Sequence, residues 1–582
     1  MALGNLPEKP NILILMTDQD TTALDWLPEF EEQHLPTMKR LKRHGLTFKN
    51  AFTAAAACSA SRASILTSTY PTEHGVANTL VAAEDYLDRK ENDASFALRD
   101  IGFAQNVLRP CQVNLAHIFR AAGYKVVWKG KWHLSQPVNG ISKWSADDIN
   151  YFADAYGFDE WNPDDAGDSM TDFKKLGGGI GNHDERYTGF TDENAPTAKE
   201  ESALSGKSAI EFIRTYNEDK PFCLIVSLVN PHDIHVAPTF PEKSGYKEEE
   251  VPDYKLPIPE NVNEDLTEKP DIQVAWREIQ INADRADKSI SKKECQQKYV
   301  DFYGYLKTLS DRQMGKILDA LDAKGLTENT LIVRLADHGE MCLHHGLREK
   351  MYNAYDQSMK VPLIFSNPRL FPEAKETEAL ASSVDLVPTL ASIIGVYDQY
   401  RFALRGCDLT PIFTKPKGKV RDYVHFTTDE DFLPDVYKNI PKRVRAIRSL
   451  NWKYVVYFTN DGSKFDYELY NLKKDPHENN NLIGKAGYFD EQAKLHAELQ
   501  NIMMQMKSLP EHFWFVSKHM EEEGIIPPVH WPTLDEAWSG AMFQHEYNKL
   551  ERSLEKSKKL KSKQLAYMAK NLSAPVWWVR KD

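Results

Sequence analysis

Cysteine is scarce in this chain. Six among 582 residues are too few for a disulfide framework. Long apolar runs are missing as well. None reaches the ~18 residues that a membrane-spanning helix needs, so no membrane partner is expected. An excess of positive charge is also lacking. The balance of 72 Lys plus Arg against 85 Asp plus Glu leaves −13, which argues against nucleic acid as a partner. It leaves a small anionic substrate open, because net charge says nothing about a single pocket. There is no internal repeat and no low-complexity tract. The first ten residues are short and polar and carry no apolar leader, which reads as cytoplasmic. What is present, 41% hydrophobic and 11% aromatic residues, excludes a disordered chain and suffices for a large core.

The apolar runs that do occur are brief and end in polar residues. Residues 12–16 are followed by Thr17, Asp18 and Gln19. Residues 126–128 lead into Lys131 and His133, and 222–229 into Asn230-Pro231-His232-Asp233. Residues 330–336 run into Asp337-His338-Gly339, and 361–365 form a further apolar run. Between them lie helical patterns at 112–122, 203–216, 299–324 and 385–394. Alternating helices and continuous apolar strands predict an α/β fold with a mostly parallel sheet between helices. Chemistry-bearing residues then gather beyond the carboxyl ends of the strands, where such sheets bind ligands. Residues 444–449, 452–458 and 467–471 read instead as short antiparallel strands. The expected division is a catalytic α/β domain over 1–420, a small α+β subdomain over 421–515 and a helical tail over 516–582. The tail contains Trp577 and Trp578, an apolar surface that suits contact between subunits of a homo-oligomer.

Cys58-Ser59-Ala60-Ser61-Arg62 follows a run of small residues, where a helix should begin. A helix N-terminus offers unpaired N–H groups and lowers a thiol's pKa. Arg62, four residues on, shares a face with Cys58. The pair reads as a nucleophile beside a cation at an anion site.

This segment resembles the C-x-P/A-x-R signature of the type I sulfatases of the alkaline phosphatase superfamily, with Ala60 where proline is commoner. Gly130-Lys131-Trp132-His133-Leu134, Asn230-Pro231-His232-Asp233, Ala336-Asp337-His338-Gly339-Glu340 and His345-Gly346-Leu347-Arg348-Glu349-Lys350 resemble further motifs, in the family's order. The resemblance implies an alkaline-phosphatase-like sheet with a smaller C-terminal antiparallel subdomain. It implies a sulfuric ester hydrolase, arylsulfatase-like, acting on a small-molecule sulfate ester with side activity on phosphoesters. It further implies that a maturation enzyme converts Cys58 to formylglycine, whose hydrate is the nucleophile. One divalent ion, Ca²⁺ or Mn²⁺, is expected between Asp18, Asp337, His338 and residue 58, a set resembling choline sulfatases and phosphonate monoester hydrolases. The family often carries a second aspartate where Gln19 stands.

By resemblance, Arg62, Lys131 and Lys350 meet sulfate oxygens, His133 is a base, and His232 meets the leaving-group oxygen. Asn78 and Gln19 are further candidates for substrate contact. His74, His235, His344 and His345 are expected to be structural or to line the rim. A phosphonate monoester hydrolase or phosphodiesterase on the same scaffold is the alternative. The Lys131/His133 pair favours the sulfatase.

Overall fold

The computed structural model describes residues 6–80, 107–137, 144–161, 165, 183–189, 208–240, 245–284, 288–430, 437, 439–459 and 462–509. The expected helical tail, and the first residues of the helix expected at 203–216, lie outside them.

Seven strands form the main sheet: β1 Asn11–Asp18, β2 Gly45–Phe52, β3 Lys125–Gly130, β4 Phe222–Pro231, β5 Thr330–Ala336, β6 Leu363–Ser366 and β7 Lys375–Ser382. Their order is β3-β4-β1-β5-β6-β2-β7. The pairs β3–β4, β4–β1 and β1–β5 are parallel, as is β2–β7, whereas β6 is antiparallel to both neighbours. The central strands are buried along almost their whole length, which is why they read as unbroken apolar runs.

Period-two alternation divides their side chains between two cores. Ile12, Ile14 and Met16 enter one core with the helices Leu115–Ala121 and Leu386–Ile393. Leu13 and Leu15 enter the other, beneath the long helix Lys293–Ala323. The helix expected at 299–324 thus begins earlier, at Lys293.

A second sheet of four antiparallel strands contains β8 Val424–Thr428, β9 Arg443–Arg448, β10 Trp452–Phe458 and β11 Phe465–Asn471, in the order β11-β10-β9-β8. On β10, Val455 and Tyr457 pack with Tyr352 and Tyr355, which follow β5. Tyr454 and Val456 face Leu495 and Leu499 of the helix Phe489–Met506.

Because β3, β4, β1 and β5 are adjacent and parallel, their carboxyl ends lie along one edge of the sheet. The strand-end residues of the sequence are delivered there together.

Candidate active site

Each strand end turns sharply into the site. Gly130 closes β3 at φ +93°, and a Cβ there would lie 2.0 Å from the Ser227 carbonyl oxygen, so only glycine fits. The chain then bends again at His133, φ 60°. Alternate positions on an extended run would put Lys131 and His133 on one side, but these two turns break that run. Gln19, just past β1, also has positive φ. The helix Cys58–Thr67 begins at Cys58 and is buried throughout.

Asp18, Cys58, Asp337 and His338 are all buried, and each offers a ligand atom within 4.8 Å of the others. The Cys58 Sγ lies 3.1 Å from His338 Nε2 and 3.9 Å from an Asp18 oxygen. His338 Nδ1 lies 3.0 Å from the Gly339 carbonyl oxygen. Donation there places the ring's lone pair on Nε2, facing the cluster. Burial lowers the His338 pKa to about 4, keeping it neutral. Two carboxylates and one neutral imidazole suit a divalent cation with a taste for oxygen ligands.

Arg62, expected to meet sulfate oxygens, makes four hydrogen bonds within the site. Its Nε donates to Asp337 at 2.9 Å and one Nη to Asp18 at 2.9 Å. The other Nη donates to the Lys131 carbonyl and the Ser227 hydroxyl, each at 2.8 Å. The guanidinium braces the two carboxylates.

The thiol also departs from expectation. Burial, followed by the Asp18 charge, pushes the Cys58 pKa well up, overriding the helix N-terminus. As a thiol, Cys58 is a poor nucleophile here. Asp18 behaves oppositely. Burial raises its pKa, but Lys131, His232, Arg62 and His338 outweigh that and hold it well below the usual carboxylate range.

Lys131 Nζ lies 2.6 Å from Asp18. Lys350 Nζ donates to Gln19 Oε1 at 2.7 Å and contacts Glu349 at 3.1 Å. Gln19 in turn donates to Glu340 at 2.6 Å and Glu349 at 3.2 Å, so it bridges a buried carboxylate pair to Lys350. Burial, then the neighbouring Glu349, raises the Glu340 pKa to about 7.

His133 Nε2 contacts the Leu80 carbonyl, and its backbone N–H donates to Asp165 at 2.7 Å. The proton on Nε2 leaves the lone pair at Nδ1. Asn78 lies half-buried on the segment that carries Leu80. His232 starts a short 3₁₀ helix after β4, close enough to act on the Asp18 charge.

Sequence reasoning missed Asp165, Asp184, Glu340 and Glu349. Asp184 accepts from the Val229 and Asn230 N–H groups at 2.6 and 3.0 Å, fixing the end of β4. Isolated acidic residues in polar stretches carry no pattern that marks them. Glu340, directly after the strand-end Asp337-His338-Gly339, and Glu349, directly before Lys350, lie within resembling motifs, but the sequence reading gives them no role. His74 is structural as expected, buried against Ser64 at 3.0 Å.

Residues 10–396 match the family model described as Sulfatase, and 344–505 the one described as N-sulphoglucosamine sulphohydrolase, C-terminal. The chain is 25% identical over 507 residues to an ulvan-active sulfatase of Formosa agariphila, covering 86% of this chain and 82% of that one. It is 23% identical over 547 residues to an N-acetylglucosamine-6-O-sulfatase of Bacteroides thetaiotaomicron, covering 86% and 87%. The solved phosphonate monoester hydrolase of Agrobacterium radiobacter shares the fold, with a TM-score of 0.58 at 20% identity over 86% of this chain and 96% of that one.

Proposed function

We propose that this chain, which belongs to the sulfatase family and hydrolyses sulfate monoesters, does so with Cys58 oxidised to formylglycine and one divalent ion, Ca²⁺ or Mn²⁺, held by Asp18, Asp337, His338 and residue 58. The observation that carries this reading is the convergence of those four side chains on one point. The raised pKa of the unmodified thiol supports it, because an unaided Cys58 would stay protonated. The ion would supply positive charge to sulfate oxygens and to the attacking hydroxyl. Formylglycine hydrate would supply an oxygen nucleophile and a second hydroxyl, which a thiol or serine lacks.

The remaining tasks fall to the chain's own residues. Arg62 holds Asp18 and Asp337 aligned and, with Lys131 and His232, keeps Asp18 ionised. Lys131 and Lys350 complement the sulfate oxygens, and Gln19 orients Lys350. His133, its Nε2 proton held by Leu80, accepts a proton at Nδ1. His232 donates to the departing oxygen. Side activity on phosphoesters follows from recognition of a tetrahedral oxyanion by charge. A sugar hydroxyl is the leaving group that the names of the two curated relatives support. A maturation enzyme and a homo-oligomeric state belong to the same proposal.

Mass analysis of a peptide spanning residue 58 tests the core of it, with kinetics on an aryl sulfate, N-acetylglucosamine-6-sulfate and a phenyl phosphonate in parallel. Formylglycine at residue 58 and preference for a sulfate are expected. An unmodified Cys58 in fully active protein would sink the mechanism, and a strong phosphonate preference would promote the alternative.

A further inference from the structure

Beside the catalytic cluster stands a second convergent group. His232, Asp233 and His235 each offer a ligand atom within 4.8 Å of the others. They lie on the 3₁₀ helix His232–Val236, whose three-residue turn brings positions i and i+3 to one side. The two imidazole rings meet edge to face at 5.1 Å. His235 Nδ1 lies 2.9 Å from the His232 carbonyl oxygen, and donation there places its lone pair on Nε2. Asp233 is fully buried. One of its oxygens accepts from the Tyr246 hydroxyl at 2.6 Å, while the other, Oδ1, has no hydrogen-bond donor. A buried carboxylate oxygen left without a donor is costly unless a cation or proton takes it.

We propose that His232, Asp233 and His235 form a second, inhibitory binding site for a borderline-soft divalent cation such as Zn²⁺. Two imidazoles and one carboxylate are a zinc-type ligand set, chemically distinct from the oxygen-rich set around Asp18 and Asp337. Binding follows from this geometry alone. Inhibition rests on the role given above to His232, because a metal on its imidazole withdraws it from the leaving-group oxygen. The buried Glu349 carboxylate, which acts on both imidazoles, adds negative charge to the neighbourhood.

The test is zinc titration of the purified full chain with its resident ion in place. Metal content is read by plasma spectrometry and turnover on an aryl sulfate is followed in parallel. One additional zinc per chain is expected, without release of the resident ion and with loss of turnover. His235→Gln should weaken that zinc by more than ~10-fold, the scale on which residues supporting a metal site already act. His235→Cys, which restores a ligand atom, should recover it. Absence of the extra zinc, or equal zinc binding by His235→Gln, overturns the site. Extra zinc without loss of turnover keeps the site and overturns the role of His232. Should His235→Gln fail to fold, X-ray absorption at the zinc edge on the unsubstituted chain decides. Two imidazoles support the site, whereas one, the number available around His338, overturns it.

Discussion

Two of the buried groups of charged residues differ in what their atoms face. In the cluster proposed to be catalytic, Asp18, Asp337, His338 and Cys58 point their ligand atoms at one another. Arg62 and Lys131 attend from the side. At the junction with the second sheet, Asp356 is gripped by both arms of Arg448, at 3.1 and 2.9 Å, and by Lys453 at 2.7 Å. There, too, Glu468 accepts three phenol protons, from Tyr355, Tyr457 and Tyr470, at 2.8, 2.7 and 2.6 Å. Acceptors and donors close on one another at the junction, and no set of lone pairs converges. Burial of charge therefore does not by itself mark a place for a cation; convergence of acceptors does.

Substitutions can break this contrast. Cys58→Ala should have the largest effect on activity, a loss of turnover beyond ~10³-fold with an unchanged melting temperature. Retained activity would remove residue 58 from the centre of the scheme. Arg448→Met should do the reverse. Removing one partner of a buried ion pair costs about 3 kcal/mol, read in urea unfolding, while turnover per folded molecule stays as it was. A fall in turnover beyond the unfolded fraction would show that the junction is part of the catalytic machinery after all.

Acid should sharpen the picture more gently. Burial holds His74, His344 and His425 at about 3, against 6.5 for a free side chain. Unfolding then binds protons between these values, so stability should fall as pH drops from 6.5 toward 3. His425, held by the Ala446 carbonyl at 2.9 Å and the Ser508 hydroxyl at 2.7 Å, can be replaced by Gln. His425→Gln should flatten the slope of unfolding free energy against pH in that window, and an unchanged slope would contradict the assignment. The smallest effect belongs to the exposed pair Lys419–Asp422, 2.6 Å apart. Lys419→Ala should change stability by less than ~0.5 kcal/mol.

Much of this was legible in the sequence because central strands of a covered sheet must be continuously apolar. β1, β4 and β5 announce themselves, and the residues after them are the site. β7, with the sequence KETEALAS, was not legible. It lies at the edge of the sheet with a partly exposed face, so it lacks the apolar run. β2, its neighbour, mixes Thr47, Lys49 and Asn50 into its length for a similar reason. The antiparallel course of β6 has no local signature, since direction is set by the path of the connection. The same limit explains Arg62 and Gln19. Spacing placed Arg62 on the face of Cys58, and resemblance made Gln19 a candidate for substrate contact, but only the three-dimensional arrangement shows which residues they hold: Asp18 and Asp337 for Arg62, Glu340, Glu349 and Lys350 for Gln19.

The complete burial of Cys58, in a helix with every residue enclosed, also constrains the protein's history. An enzyme that oxidises this thiol needs to surround it, and the folded chain offers no surface there to surround. If residue 58 matures as proposed, maturation and folding are rivals in time, and the competent molecule is one in which the chemistry finished first. A population made too quickly for its modifier would contain well-folded, stable and permanently silent copies, indistinguishable from the active ones by shape.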